Sequence, residues 1–277
     1  MIVKIGLIQM RMSADRGTCL RKAKGLIDEA AEKGAQIVCL PELFNSRYFP
    51  QEHRSRMIPE RVPGRTTSML SAAAKRNSVV LVGGSIYEKT RRGCYNTSVV
   101  FNEVGEIIGR YRKVHLPNDP GFYEQAYFSS GTRFHVFETR YGIIGVLICF
   151  DQWYPEAARV IKLLGADIVF YPTAIGWVKG VEPTEGNWQK AWENVQRGHA
   201  ISNSIVVAAV NRVGREKDIH FWGGSFLFDQ FGKTLIRADD REGVFLASCD
   251  FSRAKSIEEG WGFLRNRRPS TYSKLVE

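Results

Sequence analysis

The chain has 277 residues, of which 44% are hydrophobic and 25% charged, and its formal net charge is +10. These proportions are typical of a globular protein and exclude collagen-like, low-complexity and intrinsically disordered classes. A chain of this length can form one large domain or two ordinary ones, and either can bury a core without disulfides or metals. The basic excess raises the hypothesis of binding to nucleic acid or to another anionic surface.

Several function classes are disfavoured by the absence of their signals. No apolar run approaches the ~20 residues that a membrane-spanning helix needs, and the N-terminal segment lacks the features of a signal peptide. The cysteines are odd in number, widely spread and free of C-x-x-C pairs, which disfavours a disulfide framework or a zinc site and favours a reducing cytoplasm. The five histidines show no ligand spacing, so we expect no metal site. The cysteines are Cys19, Cys39, Cys94, Cys149 and Cys249.

The first half of the chain alternates predicted strands with predicted helices. A helical pattern over residues 18–33 ends at Gly34, a residue type that commonly terminates helices. The hydrophobic pattern predicts a second helix over 66–76 and strands over 3–10, 36–40, 79–83, 96–101 and 107–112. This order is typical of an α/β protein.

The second half repeats both the order of elements and parts of the sequence. Four segments of the first half match four of the second, in the same order and at nearly constant separation: 5–8 with 144–147, 34–41 with 165–172, 77–82 with 203–208, and 98–105 with 225–232. A single match could arise at any helix-to-strand junction of an α/β protein. Four matches in order indicate an internal duplication.

The duplication predicts how the two halves pack. In each copy a Phe-Asn/Asp-x-x-Gly segment is expected to form a hairpin, with Gly105 or Gly232 in the left-handed conformation. Strand segments that are apolar at every position need both faces covered, so helices must lie on one face of each mixed sheet. We therefore predict a single α/β domain over residues 1–277, folded as a four-layer αββα sandwich.

The two copies differ at equivalent strand ends, where chemical groups would come together. Pro41-Glu42 in the first copy corresponds to Pro172-Thr173 in the second, and Gln9-Met10 corresponds to Ile148-Cys149. The first copy also carries a basic segment with Lys113 after its hairpin, where the second has 236–240. A carboxylate, an amine and a thiol thus stand where the other copy lacks them.

Cys149 follows a buried predicted strand over 143–148, and Pro155 and Glu156 then begin a helix. A thiol at such a turn resembles a nucleophile elbow, where the following backbone N–H groups can face an oxyanion. The alternative is a buried structural cysteine, because free cysteines are often buried for packing alone.

Together, Glu42, Lys113 and Cys149 support one mechanism. A free thiol has a pKa near 8.5 and is mostly protonated at neutral pH, so it needs a general base. No histidine occupies an equivalent strand end, so Glu42 is the candidate base, and Lys113 would stabilise the oxyanion by ~3 kcal/mol. Taken singly, Glu42 could be a solvated loop acid, and Lys113 could belong to a solvated edge strand or contact nucleic acid.

These motifs resemble the nitrilase superfamily of carbon–nitrogen hydrolases. Pro-Glu42 after a strand, Arg-Lys113-x-His-Leu-Pro, and Cys149 before a Pro-Glu helix occur in the family's order. The resemblance spans nearly the whole chain and implies the nitrilase-like αββα fold, no cofactor, and catalysis by Glu42, Lys113 and Cys149. It also implies that a second glutamate, Glu124, orients Lys113 and the substrate.

Within that superfamily, the sequence around Cys149 resembles N-carbamoylputrescine amidases, which hydrolyse a ureido group to amine, CO₂ and ammonia. Relatives that act on carbamoyl amino acids place arginines just after the cysteine, where this chain has Asp151-Gln152-Trp153, so a substrate carboxylate is disfavoured. Acidic side chains could attract a cationic amine, and aromatic rings could pack on its alkyl chain. The candidates are Phe150, Asp151, Trp153, Trp177, Glu182, Glu185 and Trp188, although loop acids are often solvated and tryptophans often only pack.

Two alternative functions and one interface prediction remain. An aliphatic amidase or nitrilase of the same fold would use the same catalytic residues. A nucleic-acid-binding protein would cluster its basic residues with aromatic ones, whereas here they are dispersed, so we expect no nucleic-acid partner and no membrane partner.

The C-terminal tail, about 252–277, mixes large apolar and basic residues, and we expect it to pack at the interface of a homo-oligomer, a dimer or higher; the alternative is packing on its own subunit.

Overall fold

A computed structural model describes residues 1–277, apart from the side chain of Val276, and contains five α-helices and eighteen strands in that range. None of the described helices is long and apolar enough to cross a membrane. The helices are α1 (Arg16–Glu32), α2 (Arg65–Asn77), α3 (Pro155–Leu163), α4 (Trp188–Asn203) and α5 (Arg253–Trp261). The strands are β1 (Ile2–Gln9), β2 (Ile37–Cys39), β3 (Val80–Val82), β4 (Ile86–Lys89), β5 (Cys94–Phe101), β6 (Ile107–Arg112), β7 (Asn118–Asp119), β8 (Phe122–Tyr123), β9 (Val136–Thr139), β10 (Gly142–Val146), β11 (Ile168–Thr173), β12 (Gly176–Val178), β13 (Val206–Asn211), β14 (Val213–Glu216), β15 (Ile219–Trp222), β16 (Phe226–Phe228), β17 (Thr234–Arg237) and β18 (Gly243–Asp250).

The two large sheets share one topology. The first has the order β18-β1-β2-β3-β5-β4, with β6 also paired to β5, and the second has the order β17-β16-β13-β11-β10-β9. In the first sheet β1, β2 and β3 are parallel and β5 and β6 are antiparallel; in the second, β10, β11 and β13 are parallel and β16 and β17 are antiparallel. Two copies of one supersecondary unit, each with a mixed sheet, are therefore visible in the backbone.

Strand side chains alternate between two apolar cores. On β2, Ile37 and Cys39 join the core between the two sheets, whereas Val38 packs with the buried residues of α1 and α2. On the other side of the molecule, Ala157 and Ile161 of α3 cover the second sheet. Full burial of one such aliphatic side chain contributes about 1.5–3 kcal/mol. The layer order is helices, sheet, sheet and helices, which confirms the four-layer αββα sandwich.

The hairpins that close each copy require glycine. Gly105 between β5 and β6 has φ +83°, and Gly232 between β16 and β17 has φ +79°, both in the left-handed region that favours glycine. A Cβ at Gly105 would lie 2.5 Å from the Ser71 carbonyl oxygen. The predicted elements of the first half agree with the observed ones to within one or two residues.

The C-terminal tail leaves the first sheet after β18, which pairs antiparallel with β1. Helix α5 follows, and short 3₁₀ turns occupy Pro269–Thr271 and Ser273–Val276. The Trp261 ring lies 5.6 Å from that of Phe231 but stays 62% exposed, and Leu275 is 63% exposed. Part of the tail's apolar surface is thus uncovered in a single chain.

Candidate active site

Glu42 follows β2 on a sharp turn. Leu43 has φ +46°, a left-handed conformation that costs a non-glycine residue about 1–2 kcal/mol. Arg212, which follows β13, stabilises the turn: its Nη2 donates to the carbonyl oxygens of Glu42 at 2.8 Å and Leu43 at 2.9 Å. Its Nη1 lies 2.8 Å from the Glu216 carboxylate, and Arg212 and Glu216 are both buried. A buried ion pair from the second half therefore holds the backbone of Glu42.

Lys113 lies directly after β6, between two carboxylates. Its Nζ is 2.9 Å from Glu42 Oε1 and 2.8 Å from each carboxylate oxygen of Glu124. Asn96 Nδ2 donates to Glu42 Oε1 at 2.7 Å, and the Tyr48 hydroxyl donates to Glu124 Oε1 at 2.7 Å. All three charged side chains are 0% exposed, which excludes the solvated-loop and solvated-edge alternatives for them.

Two carboxylates around one ammonium set the protonation of this cluster. The pKa of Glu42 is raised to about 7, chiefly by burial and also by the neighbouring Glu124 carboxylate, while the charge of Lys113 opposes the rise. Burial alone would lower the pKa of Lys113, but the charges of Glu124 and Glu42 outweigh it and hold the pKa above its ordinary value. Among the described residues Glu42 Oε2 has no hydrogen-bond partner. The cluster thus contains a fixed cation and a base with one free oxygen that titrates near neutrality.

Cys149 follows β10 and begins a 3₁₀ turn over Cys149–Trp153, after which α3 begins at Pro155. Its φ is +44°, so the nucleophile candidate occupies a strained turn of the kind that the sequence pattern predicts. The thiol Sγ lies 3.7 Å from the Ala174 carbonyl oxygen. Burial, followed by the negative charge of Glu42, raises the pKa of Cys149 well above its ordinary value. The free thiol is therefore protonated and needs a base to react.

Asp151 does not have the substrate-binding position that we predict for it. Its side chain is 0% exposed, and its Oδ2 accepts from the Tyr111 hydroxyl and the Ile148 N–H, both at 2.8 Å. Its Oδ1 accepts from the His115 N–H at 3.0 Å and lies 2.7 Å from His115 Nδ1. With both oxygens occupied, Asp151 connects the Cys149 turn to the segment on either side of Lys113 and has no oxygen free for an amine.

Helix α4 supports the same turn from behind. The Gln152 Oε1 accepts from Trp192 Nε1 at 2.7 Å and from Gln196 Nε2 at 3.0 Å, and His199 Nε2 lies 2.8 Å from the Gln152 carbonyl oxygen. Burial lowers the pKa of His199, so this imidazole stays neutral at pH 7. These contacts order the segment that follows the thiol.

A pocket of about 350 Å³ opens onto Cys149. Phe150 and Trp153 line it, as predicted, and so do Glu185 and Trp188. Two of its lining side chains are carboxylates, and no lysine or arginine occurs among the described residues that line it. The lining residues are Pro117, Asp119, Pro120, Phe122, Cys149, Phe150, Gln152, Trp153, Ala174, Ile175, Gly176, Val181, Glu185, Trp188 and Ala191.

Two further predicted contact residues lie outside this lining. Trp177 is behind the wall, with its ring 5.8 Å from that of Trp188 and 5.0 Å from that of Trp222. Glu182 is exposed on the loop after β12 and does not line the pocket, whereas Glu185 on the same loop does. Asp119, a lining carboxylate, was missed because nothing in its local sequence marks it.

The polar groups that the fold brings together are a thiol, an ammonium and two carboxylates. All five cysteines are free within the part of the chain that the structure describes. In that same part, no three histidine, cysteine, aspartate or glutamate side chains are grouped as a metal site requires. The arrangement can deprotonate a thiol and place a cation near the group that it attacks.

Comparisons with known proteins identify the family of this chain. The family model "Carbon-nitrogen hydrolase" matches residues 4–259. An N-carbamoylputrescine amidase from Solanum lycopersicum is 36% identical over 99% of this chain and 95% of its own length, and a citrullinase from Francisella tularensis is 33% identical over 99% and 98%. The crystal structure of a carbon-nitrogen hydrolase from Helicobacter pylori G27 superposes with a TM-score of 0.95 at 36% identity, covering 100% of this chain and 99% of that one. This chain therefore belongs to the carbon-nitrogen hydrolase family of the nitrilase superfamily.

Proposed function

We propose that this carbon–nitrogen hydrolase cleaves the ureido group of an N-carbamoyl amine, N-carbamoylputrescine or a close analogue, into the amine, CO₂ and ammonia. One observation supports the substrate assignment above all others: the pocket at Cys149 is lined by the carboxylates of Asp119 and Glu185 and, among its described lining residues, by no cation. A cationic tail would be stabilised there, and an anionic tail would lack a partner.

The first half of the proposed reaction forms a bond to sulfur. The Glu42 carboxylate takes the thiol proton of Cys149 as Sγ attacks the carbonyl carbon of the ureido group. The negative charge that develops on the carbonyl oxygen is stabilised by Lys113 Nζ, a contact worth ~3 kcal/mol in comparable sites. Because Lys113 is already held by Glu42 and Glu124, it needs no rearrangement to do so.

The second half releases ammonia first, and then CO₂ and the amine. Protonated Glu42 donates its proton to the leaving nitrogen as the C–N bond breaks, which leaves a thioester-like adduct on Cys149. A water molecule then loses a proton to Glu42 and attacks the adduct, and Glu42 returns that proton to the sulfur, which leaves as the thiol. The resulting carbamic acid decomposes to CO₂ and the remaining amine. A base with a pKa near 7 is suited to this exchange because it accepts and returns a proton at similar cost.

The shape of the pocket suits a short alkyl chain that ends in an ammonium group. Phe122, Phe150 and Trp188 supply apolar and aromatic surface along the wall. The Trp188 Nε1 donates to Glu185 Oε2 at 3.1 Å, which orients that carboxylate. An ammonium near the Trp188 ring would gain both an ion pair and a cation–π contact.

Ammonia release from a matched substrate panel tests the assignment. The panel is N-carbamoylputrescine, N-butylurea (the same ureido group without the ammonium), citrulline, an aliphatic amide and an aliphatic nitrile. We expect kcat/KM to be highest for N-carbamoylputrescine and at least about tenfold lower for N-butylurea, a difference of about 1.4 kcal/mol. Faster turnover of the amide or nitrile would support the alternative function, an aliphatic amidase or nitrilase of the same fold.

The two pocket carboxylates can be tested separately from the chemistry. Glu185→Gln and Asp119→Asn should each raise KM for N-carbamoylputrescine by about three- to tenfold, the range for partly exposed charge pairs, and leave N-butylurea unaffected. Glu182→Gln is the matched control, because Glu182 is on the same loop but outside the pocket lining. Equal effects on both substrates would show that the carboxylates do not recognise the ammonium.

We also propose that the protein is a homo-oligomer in which the tail, about 252–277, packs across the subunit interface, and that it acts in the cytoplasm. The exposed side chains Leu163 of α3 and Leu275 of the tail line one groove and support the interface, because large apolar side chains grouped at a surface favour association. The free cysteines support a reducing compartment. Truncation after Phe251 should lower the oligomeric mass measured by light scattering, and an unchanged mass would contradict this role of the tail.

A further inference from the structure

Two adjoining clefts, of about 200 and 500 Å³, open beside β6 and share Arg110 and Arg112 in their walls. The sequence shows only short, separate basic runs in this part of the chain. The fold gathers them from the loop before α2, from β4 and its following turn, from β6, and from the loop before β9. We call this surface the basic cleft and define it by the cationic residues Arg61, Lys89, Arg91, Arg110, Arg112 and Arg133.

A single carboxylate, Glu88, occurs in the described lining of the basic cleft. It is 1% exposed and binds Arg112 Nε at 2.7 Å, Arg112 Nη2 at 3.0 Å and Arg110 Nη1 at 3.0 Å. Although burial opposes ionisation, hydrogen bonds from Arg112 and Thr97 hold the pKa of Glu88 below its usual value. The carboxylate therefore orders two arginines and offsets only part of the positive charge.

The remaining cations of the basic cleft are exposed and unneutralised. Within the described chain, none of Arg61, Lys89, Arg91 and Arg133 has a carboxylate oxygen within the 4.0 Å of an ion pair. Like charges held together on a surface repel one another and favour an anion that can bridge them. Guanidinium groups in particular match phosphate oxygens through paired N–H donors.

The lining also indicates what kind of anion fits. Val62 is the single apolar residue among the described lining residues, which include no phenylalanine, tyrosine or tryptophan on which a nucleobase could stack. Tyr95 lies beneath Arg112, with the guanidinium 4.3 Å from the ring centroid, and so supports the arginine. We propose that the basic cleft binds a compact anion carrying several phosphate groups, such as an inorganic oligophosphate. This site is separate from the pocket at Cys149.

Calorimetric titration with inorganic tripolyphosphate tests the proposal. We expect saturable binding at physiological salt, weakened by about tenfold or more in the double variant Arg91→Ala/Arg133→Ala, because two phosphate contacts are lost. The control, Arg241→Ala/Lys255→Ala, removes the same charge from exposed positions outside the cleft and should bind like the unmodified protein. Ammonia release should be unchanged in both variants, since none of these residues lies at the proposed active site.

Three results would overturn the proposal. The first is the absence of saturable tripolyphosphate binding at millimolar concentration. The second is equal weakening in the cleft and control variants, which would indicate a general charge effect. The third is tighter binding of a single-stranded oligodeoxythymidine than of tripolyphosphate, which would indicate a nucleic-acid surface. Because binding is measured without substrate, each result can be distinguished from failure of the proposed hydrolysis.

Discussion

The two halves of the duplication use equivalent strand ends for different purposes. At the end of β2 the first half places Glu42, with one buried oxygen unpartnered and a pKa raised to about 7. At the equivalent end of β11 the second half places Thr173, whose hydroxyl donates to the Tyr171 carbonyl oxygen at 2.8 Å. The same backbone position thus carries a carboxylate with an unpartnered oxygen in one copy and a hydroxyl that is hydrogen-bonded within its own strand in the other.

The ends of β1 and β10, which are equivalent strands of the two copies, show the reverse assignment. After β10 lies Cys149, strained and facing the pocket. At the end of β1 lies Gln9, fully buried, whose Nε2 donates to the carbonyl oxygens of Asp239 at 2.8 Å and Arg241 at 2.7 Å, while its Oε1 accepts from Ser225 N–H and Oγ. Each half thus contributes one strand end that we propose to be reactive and one that stabilises the fold, and substitution at either kind of position tests this difference.

The largest effect should come from the reactive end of the second half. Cys149→Ala should lower kcat by at least about 10³-fold, because the bond to sulfur can no longer form. Thermal unfolding should be nearly unchanged, since the substitution removes one sulfur atom beside the pocket and leaves the backbone conformation as it is. Cys249→Ala, at another buried free cysteine, is the control and should keep full activity. Substantial residual turnover in Cys149→Ala would refute the thiol mechanism.

The reactive end of the first half should give the next largest effect. Glu42→Gln should lower kcat/KM by about 10²–10⁴-fold, the usual contribution of a general base. In the unmodified enzyme the base form is the carboxylate, with a pKa of about 7. The kcat/KM should therefore fall about tenfold per pH unit as the pH drops below about 7, and level off above it. A profile that stays flat from pH 5 to 7 would argue against Glu42.

A smaller effect on activity is expected at Arg212, where the second half of the chain holds the backbone of Glu42 in the first half. Arg212→Lys keeps the charge but loses the paired donors that hold the carbonyls of Glu42 and Leu43. We expect kcat to fall about tenfold with KM little changed, because misplacing a catalytic group affects the chemical step more than binding. Arg237→Lys, at an exposed ion pair with Glu193, is the control. A lower melting temperature with unchanged kcat would show that Arg212 stabilises the fold but does not position Glu42.

The smallest effect on activity should come from the stabilising end of the first half. Gln9→Leu leaves the buried Ser225 N–H without a hydrogen-bond partner, and an unsatisfied buried group costs about 1–3 kcal/mol. The substitution also removes one hydrogen bond each from the Ser225 hydroxyl and from the carbonyl oxygens of Asp239 and Arg241. The free energy of unfolding, measured by chemical denaturation, should fall while kcat/KM stays within about threefold. If activity falls as steeply as in Glu42→Gln, the proposed division between the two kinds of strand end is wrong.

The sequence is informative where the copies can be compared with each other. Repeats and hairpin glycines were enough to predict the four-layer fold, and differences between copies identified Glu42, Lys113 and Cys149, whose catalytic roles stay predictions. The sequence could not show that Tyr111 and His115 occupy the oxygens of Asp151, since these contacts join segments more than thirty residues apart.

Side chains on irregular loops and contacts between distant segments also could not be predicted from the sequence. Glu182 and Glu185 lie on one irregular loop without periodicity, so the pattern cannot tell which of them faces the pocket. The bonds of Arg212 to the carbonyl oxygens of Glu42 and Leu43 cross the interface between the halves, so the local sequence does not show them. The basic cleft likewise depends on four segments that only the tertiary structure brings together.

The central claim is that Cys149 forms the covalent adduct and that Glu42 is the base that makes and resolves it. Rapid acid quenching during turnover of N-carbamoylputrescine, followed by peptide mass spectrometry, measures this directly. We expect an adduct with the mass of the bound acyl group on the peptide that contains Cys149, at an amount that falls in Glu42→Gln when the reaction is quenched at the same early time. Ammonia release with no adduct on that peptide, or an adduct on another cysteine, would contradict it.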